Sequence, residues 1–147
     1  MAELSEEPTQ LYISVCAPDK EPFKHVCRPQ VPNAWEKLNQ TLEILPNFKC
    51  PTVIRITSAN GLNMKNMKGY ARLIEKACPT YVEPKAYVHV GFSRLRLGYE
   101  ITPSHKEISE FATQLSKETG YNVINESKES RVVLLSKLHE SIRFNQC

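Results

Sequence analysis

The sequence is poor in glycine, with five in 147 residues, and they form neither a Walker loop nor a G-x-G-x-x-G turn. It also has no G-x-S-x-G elbow, and its four histidines make no H-E-x-x-H pair. These absences leave little support for a self-contained hydrolase or nucleotidase. No apolar run approaches the ~18 residues that a membrane helix needs. The opening MAELSEEPTQ is acidic and polar, unlike a signal peptide. Neither sign of charge is in marked excess: 19 Lys and Arg against 16 Asp and Glu leave a net +3. That balance is too mild to indicate a nucleic-acid partner without help from the arrangement of the charges.

Cysteine is present without being clustered. Cys16, Cys27, Cys50, Cys78 and Cys147 stand 11, 23, 28 and 69 residues apart. Zinc and iron–sulfur sites gather closer sets, so no metal ligands are assigned. The odd count and the absent signal sequence lead to the expectation of reduced thiols in a cytoplasmic protein without a membrane span.

The length and a hydrophobic fraction of 41% suit one domain with a real core. Residues 1–9 read as a flexible lead-in, 10–137 as the domain and 138–147 as a tail. QLYISVCA (10–17) and PTVIRITSA (51–59) carry β-branched residues in short apolar runs, as strands do. VPNAWEKLNQTLEIL (31–45) predicts a helix with Asn33 as cap and Glu36 completing a capping box. GYARLIEKA (69–77) predicts another, and TYVEPKAYVHVG (80–91) a third extended run. Pro84 is unusual there, since proline is tolerated mainly at edges and bulges. PSHKEISEFATQLSKETG (103–120) is the clearest helix, opened by Ser104 with Glu107 and closed by Gly120. Two short strands follow. Strands alternating with helices predict a mainly parallel sheet covered by helices. Ligands of such sheets collect at the carboxyl ends of the strands.

Three groups of polar residues fall near those ends. Arg55 alternates with Val53 and Thr57, and an arginine in such a strand needs a partner carboxylate or an anionic ligand. Glu83 and Lys85 share a face, either as an acid–base pair near a reacting group or as structural partners of each other and Arg55. Arg94 and Arg96, with Lys85, Arg28, Lys65 and Lys68, make either a phosphate-gathering rim or a solvated charged loop.

PTQLYISVCAPDKEPFKHVCRP, NAWEKLNQTLEILPNF, TVIRITSANGLNM, GYARLIEKACPTYVEPKAYVHVGFSRLRL and PSHKEISEFATQLSKETGY, closing on SRVVLLSK, together resemble the C-terminal half of the tRNA 4-demethylwyosine synthases, archaeal type. These are radical S-adenosylmethionine enzymes. The resemblance implies an α/β fold: the C-terminal half of a partial TIM-type (β/α) barrel, mainly parallel, with helices outside. It implies a family reaction that condenses N1-methylguanosine-37 of tRNA(Phe) with pyruvate, using S-adenosylmethionine and a 4Fe–4S cluster. Carried over residue by residue, it marks Ser14, Arg55, Thr57 and Asn63 as cofactor-binding and Glu83 and Lys85 as catalytic. It marks Arg28, Ser93, Arg94 and Arg96 as contacts to substrate or to the tRNA anticodon region.

This sequence departs from the family pattern in three places. Cys16 stands where an aspartate or similar polar residue is usual, and Pro84 takes the place of a valine between Glu83 and Lys85. The C-x₃-C-x₂-C cluster motif and the pyruvate-holding lysine of the family have no counterpart. The expectation is a chain inactive by itself in the family reaction, either from a truncated gene model or as a subunit completed by a separate chain carrying the missing N-terminal half. The alternatives are a relative that only binds tRNA or a partner chain, and a non-functional truncated product.

Overall fold

A computed structural model describes residues 6–142; residues 1–5 and 143–147, in the expected lead-in and tail, lie outside the described residues. Strand β1 (Leu11–Ser14) leads into two helices, α1 (Lys20–Cys27) and α2 (Ala34–Ile44). Then come β2 (Thr52–Ser58), α3 (Met67–Ala77), β3 (Tyr81–Ala86), α4 (His105–Thr119), β4 (Asn122–Ser127) and β5 (Val132–Ser136). One five-stranded sheet results, in the order β1-β2-β3-β5-β4. The pairs β1–β2 and β2–β3 are parallel, whereas β5 runs antiparallel to both β3 and β4. The sheet is therefore mixed and open, a partial α/β barrel whose last two strands form a hairpin.

Alternation decides which face is buried. Ile54, Ile56, Val82, Val133 and Leu135 point to one side. There they meet Leu42 of α2, the Tyr70, Leu73 and Ile74 stripe of α3, and Ile108, Phe111 and Leu115 of α4. Each fully buried Leu or Ile in this layer contributes about 1.5–3 kcal/mol. The opposite face carries Tyr12, Ser14, Arg55, Thr57, Glu83 and Lys85, which register-paired strands place side by side. The end of α1 lines the carboxyl end of that face through Val26 and Cys27, and at its amino end the Ile142 amide donates to Tyr81 Oη.

Local rules explain most helix ends. Ser104 caps α4 in a complete capping box with Glu107, and Gly120 ends it at φ 70° in the left-handed region. The capping box expected at α2 does not form: Asn33 sits at φ 55° and its side chain caps nothing. Glu36 is taken by Lys20 instead. Asn66 caps α3 by accepting from the Gly69 amide.

Pro84 lies in an interior strand, contrary to the usual edge placement. The Ala86 amide, two residues on, donates toward the β5 side, to the Arg131 carbonyl. The missing donor of Pro84 therefore faces β5 as well. The β3–β5 ladder pairs Val82 with Leu135 and Lys85 with Val132 and skips the positions between. The proline thus leaves its gap where the antiparallel ladder is already interrupted, and its β2 side keeps register with Ile56.

Candidate functional site

A cavity of about 530 Å³ opens at the carboxyl ends of β1, β2 and β3, within the size range of small-molecule sites. Arg55, Thr57 and Lys85 line its floor, Cys16 and Cys27 one side, and Val88, Ser93, Arg96 and Leu97 another. A cleft of about 570 Å³ between α1 and α2 takes no residue from the sheet. The position of the first cavity over the strand ends makes it the candidate site.

Its floor is built in rows across the strands. Ser14, Arg55 and Glu83 form one row, and Thr57 and Lys85 the next toward the cavity. Arg55 Nε donates to Glu83 Oε1 at 2.8 Å, with a second guanidinium nitrogen 2.7 Å from the same oxygen. The guanidinium lies over the Tyr12 ring, and Tyr12 Oη donates to Glu83 Oε2 at 3.4 Å. Burial, reinforced by the negative charge of Glu83, pushes the Tyr12 hydroxyl above its ordinary pKa. Arg55 thus has its carboxylate partner within the sheet. Lys85, half-buried beside Thr57, makes no ion pair among the described residues, so its ammonium is the strand-borne cation free to meet a ligand.

Asn63 is buried, and its side chain is fully engaged. Its Oδ1 accepts from the Ala59 amide at 2.8 Å, and its Nδ2 donates to the carbonyls of Cys16 at 2.9 Å and Thr57 at 2.8 Å. The Tyr70 hydroxyl donates to its main-chain carbonyl at 3.0 Å. One amide therefore ties the exits of β1 and β2 together, satisfying backbone groups that burial would otherwise leave unpaired.

The loop after β3 forms the other wall. Tyr87 Oη and Ser93 Oγ are 3.0 Å apart, and Ser93 Oγ donates to the Val90 carbonyl at 2.8 Å. His89 Nε2 lies 3.0 Å from the Leu97 carbonyl, and its ring meets those of Tyr87 and Tyr99 edge-on. Arg96 donates to the Val26 carbonyl at 3.2 Å, linking this loop to α1. Phe92, Leu95 and Tyr99 stay exposed on the outer side.

The sequence-derived candidates divide accordingly. Arg55, Thr57, Asn63, Lys85, Ser93 and Arg96 line the one cavity. Glu83 sits one row below, against Arg55. Ser14 is exposed in that same row and Arg94 on the loop; neither lines the cavity. Arg28 lines the cleft between α1 and α2 with Lys20 and Lys24. Sequence reasoning missed the cavity roles of Cys27 and Tyr87 and the stacking of Tyr12 on Arg55. The alternation of Tyr12 with Ser14 carried part of that signal; the cross-strand register carried the rest.

Among the described residues no three His, Cys, Asp or Glu side chains are grouped to hold a metal, and no helix is long and apolar enough to cross a membrane.

Residues 76–137 match the family model described as wyosine base formation. The S-adenosyl-L-methionine-dependent tRNA 4-demethylwyosine synthase of Pyrococcus abyssi is 45% identical over 131 residues, covering 88% of this chain and 38% of that protein. The Methanocaldococcus jannaschii synthase is 38% identical over 136 residues, covering 92% and 43%. Among solved structures, TYW1 with a lysine-pyruvate adduct bound superimposes with a TM-score of 0.79 at 37% identity, over 88% of this chain and 41% of that one. Archaeal TYW1 gives 0.72 at 32% identity, over 92% and 42%. The chain spans about two fifths of the length of these relatives.

Proposed function

The chain is homologous to the tRNA 4-demethylwyosine synthase family, and on that premise we propose that it builds the C-terminal wall of a tRNA-modifying site. In this reading the site serves the condensation of N1-methylguanosine-37 of tRNA(Phe) with pyruvate. The observation that carries it is the cavity over the β1–β3 ends, where Lys85 and Arg96 bring positive charge to Thr57 and Ser93 hydroxyls. Lys85 and Arg96 suit a carboxylate or phosphate. The apolar side chains of Val88 and Leu97 suit a base or nucleoside face.

The family's two cofactors fare differently against these residues. The cavity's cations and hydroxyls fit S-adenosylmethionine, with Lys85 or Arg96 for its carboxylate and Thr57 for a hydroxyl. When bound, that cofactor supplies the family's radical chemistry. The described residues do not fit a 4Fe–4S cluster: Cys16 and Cys27 are two thiols, and no third ligand stands with them. Thiolate clusters take three or four such ligands, so no step is assigned to the cluster within this chain. The role that remains for these residues is positioning. The Arg55–Glu83 pair stiffens the floor, Asn63 fixes the strand exits, and Lys85 and Arg96 orient an anionic group.

The test is binding of a tRNA(Phe) anticodon stem-loop carrying N1-methylguanosine-37, followed by fluorescence anisotropy across a salt series. Affinity should fall with salt and drop further in R94A and R96A. Binding no tighter than to an unrelated hairpin, unchanged in both variants, would overturn the tRNA part of the proposal. A second reading, a module that binds without turnover, draws on the same missing third ligand. It predicts identical binding and no rescue of product formation when the N-terminal part of a relative is added.

A further inference from the structure

We propose that Cys16 and Cys27 form an oxidisable dithiol at the side of the cavity, closing to a disulfide when the protein meets a hydroperoxide. This goes beyond the tRNA-modifying role and does not depend on it.

Three observations carry the proposal. Both side chains line the same cavity, one from just past β1 and one from the last residue of α1. Each thiol stands close enough to the other to shift its protonation. α1 is free to adjust, since it buries none of its own residues. Peripheral contacts hold it: Phe23 against Trp35, Lys20 with Glu36, and Arg96 on the Val26 carbonyl. Disulfide formation needs close approach and suitable Cβ directions, and a lightly anchored helix end can supply both.

The two thiols are electrically unlike. Hydrogen bonding from Cys27, with further help from the Thr57 amide and hydroxyl, lowers Cys16 to about 6 against the opposing effect of burial. The same hydrogen bond, burial and the charge of Cys16 push Cys27 up. Cys16 is accordingly the attacking sulfur and Cys27 the resolving one. A low pKa raises the thiolate fraction but lowers the nucleophilicity of each thiolate, with a Brønsted slope of about 0.4–0.5. Near neutral pH the gain in thiolate outweighs the loss, so peroxide meets Cys16 first, and the adjacent Cys27 then captures its sulfenic acid as a disulfide.

The chemistry balances in two steps. The Cys16 thiolate attacks one peroxide oxygen, the O–O bond breaks, hydroxide leaves and Cys16 becomes a sulfenic acid. Cys27 sulfur then attacks the Cys16 sulfur, the S–O bond breaks, and its proton leaves with that hydroxyl as water. Two thiols are oxidised by two electrons in total, and the peroxide is reduced. The product ties the end of α1 to the exit of β1 and removes both thiols from the cavity wall.

The experiment treats the reduced, folded chain with a small excess of hydrogen peroxide and maps its peptides without reduction. The expected product is a Cys16–Cys27 link, formed while Cys50 and Cys78 stay reduced and reversed by dithiothreitol. In C27S, dimedone should trap a sulfenic acid on Cys16, and in C16S no intramolecular link should form at Cys27. Hydrogen exchange in α1 should slow at least severalfold in the oxidised protein. Oxidation of Cys50 or Cys78 before any link forms would overturn the proposal, as would dimedone on Cys27 while Cys16 is intact. A link that leaves α1 exchange unchanged would overturn the tether.

Discussion

Arg55 and Glu83 meet across the β2–β3 pair at 2.7 Å, and the guanidinium lies 4.5 Å from the centre of the Tyr12 ring. Three strands thus contribute one side chain each to a single polar contact on the face opposite the helical core. Glu83 is well shielded and Arg55 about a third exposed, so solvent screens part of the attraction.

Removing one partner should therefore cost more than a surface ion pair does. E83A should lose about 1.5–3 kcal/mol, the range for hydrogen bonds to charged groups. A double-mutant cycle with R55A, read by urea denaturation, should return a favourable coupling of about 1 kcal/mol or more. Simple additivity of the two losses would show that the contact is incidental.

Asn63 makes three side-chain hydrogen bonds in a buried position. N63A leaves two carbonyls and one amide without those partners and should cost about 2–4 kcal/mol. N63D should be at least as damaging, because it turns a carboxylate oxygen toward the Cys16 and Thr57 carbonyls. Both are read from denaturation midpoints; a stable N63D would contradict the account of Asn63 as a clamp.

At the start of α4, the Ser104 amide and hydroxyl, followed by the Asn60 side chain, hold the Glu107 carboxyl below its ordinary pKa. The sign follows: a depressed folded value gives stability that is present above the unfolded value and lost as pH falls through the folded one. S104A should cost about 1 kcal/mol at neutral pH. The thermal midpoint should fall as pH drops below the ordinary glutamate value of about 4.3. E107Q should flatten that decline.

P84V gives β3 back the amide that faces β5. The new hydrogen bond is worth about 0.5–1.5 kcal/mol. Loss of the proline's restriction on the unfolded chain offsets about 0.4–1 kcal/mol of it. Net stability should change by less than about 1 kcal/mol, while the residue 84 amide becomes protected against hydrogen exchange. Rapid exchange there would mean that the ladder gap has another cause.

These 147 residues, supplied with iron, sulfide, dithionite and S-adenosylmethionine, should release no 5′-deoxyadenosine. Its appearance, by chromatography with mass detection, would show that the cluster finds ligands outside the grouping seen among the described residues.

Local signals were legible wherever the interaction they encode is local. The Ser104–Glu107 box and the Gly120 exit formed as the residues spell them, because cap and helix lie within one turn. Asn33 and Glu36 have the same spelling, but no box formed there. Lys20, from another helix, competes for the carboxylate, and a left-handed Asn33 turns its side chain from the amides. The cavity residues on β2 and β3 could be anticipated because alternation fixes their face. Ser14 and Arg94 had the right chemistry, but the fold left them outside the cavity wall.

The sequence by itself determined the alternation of strands and helices, the apolar stripes and the likeness to a family, since each is written in residues close along the chain or matched one by one. Only the tertiary structure decided that Arg55 belongs to Glu83 while Lys85 stays free, that Pro84 faces a gap in the ladder, and that Cys16 and Cys27 share one wall. Register between strands and the return of α1 to the sheet set those relations, and no spacing within a single segment encodes them.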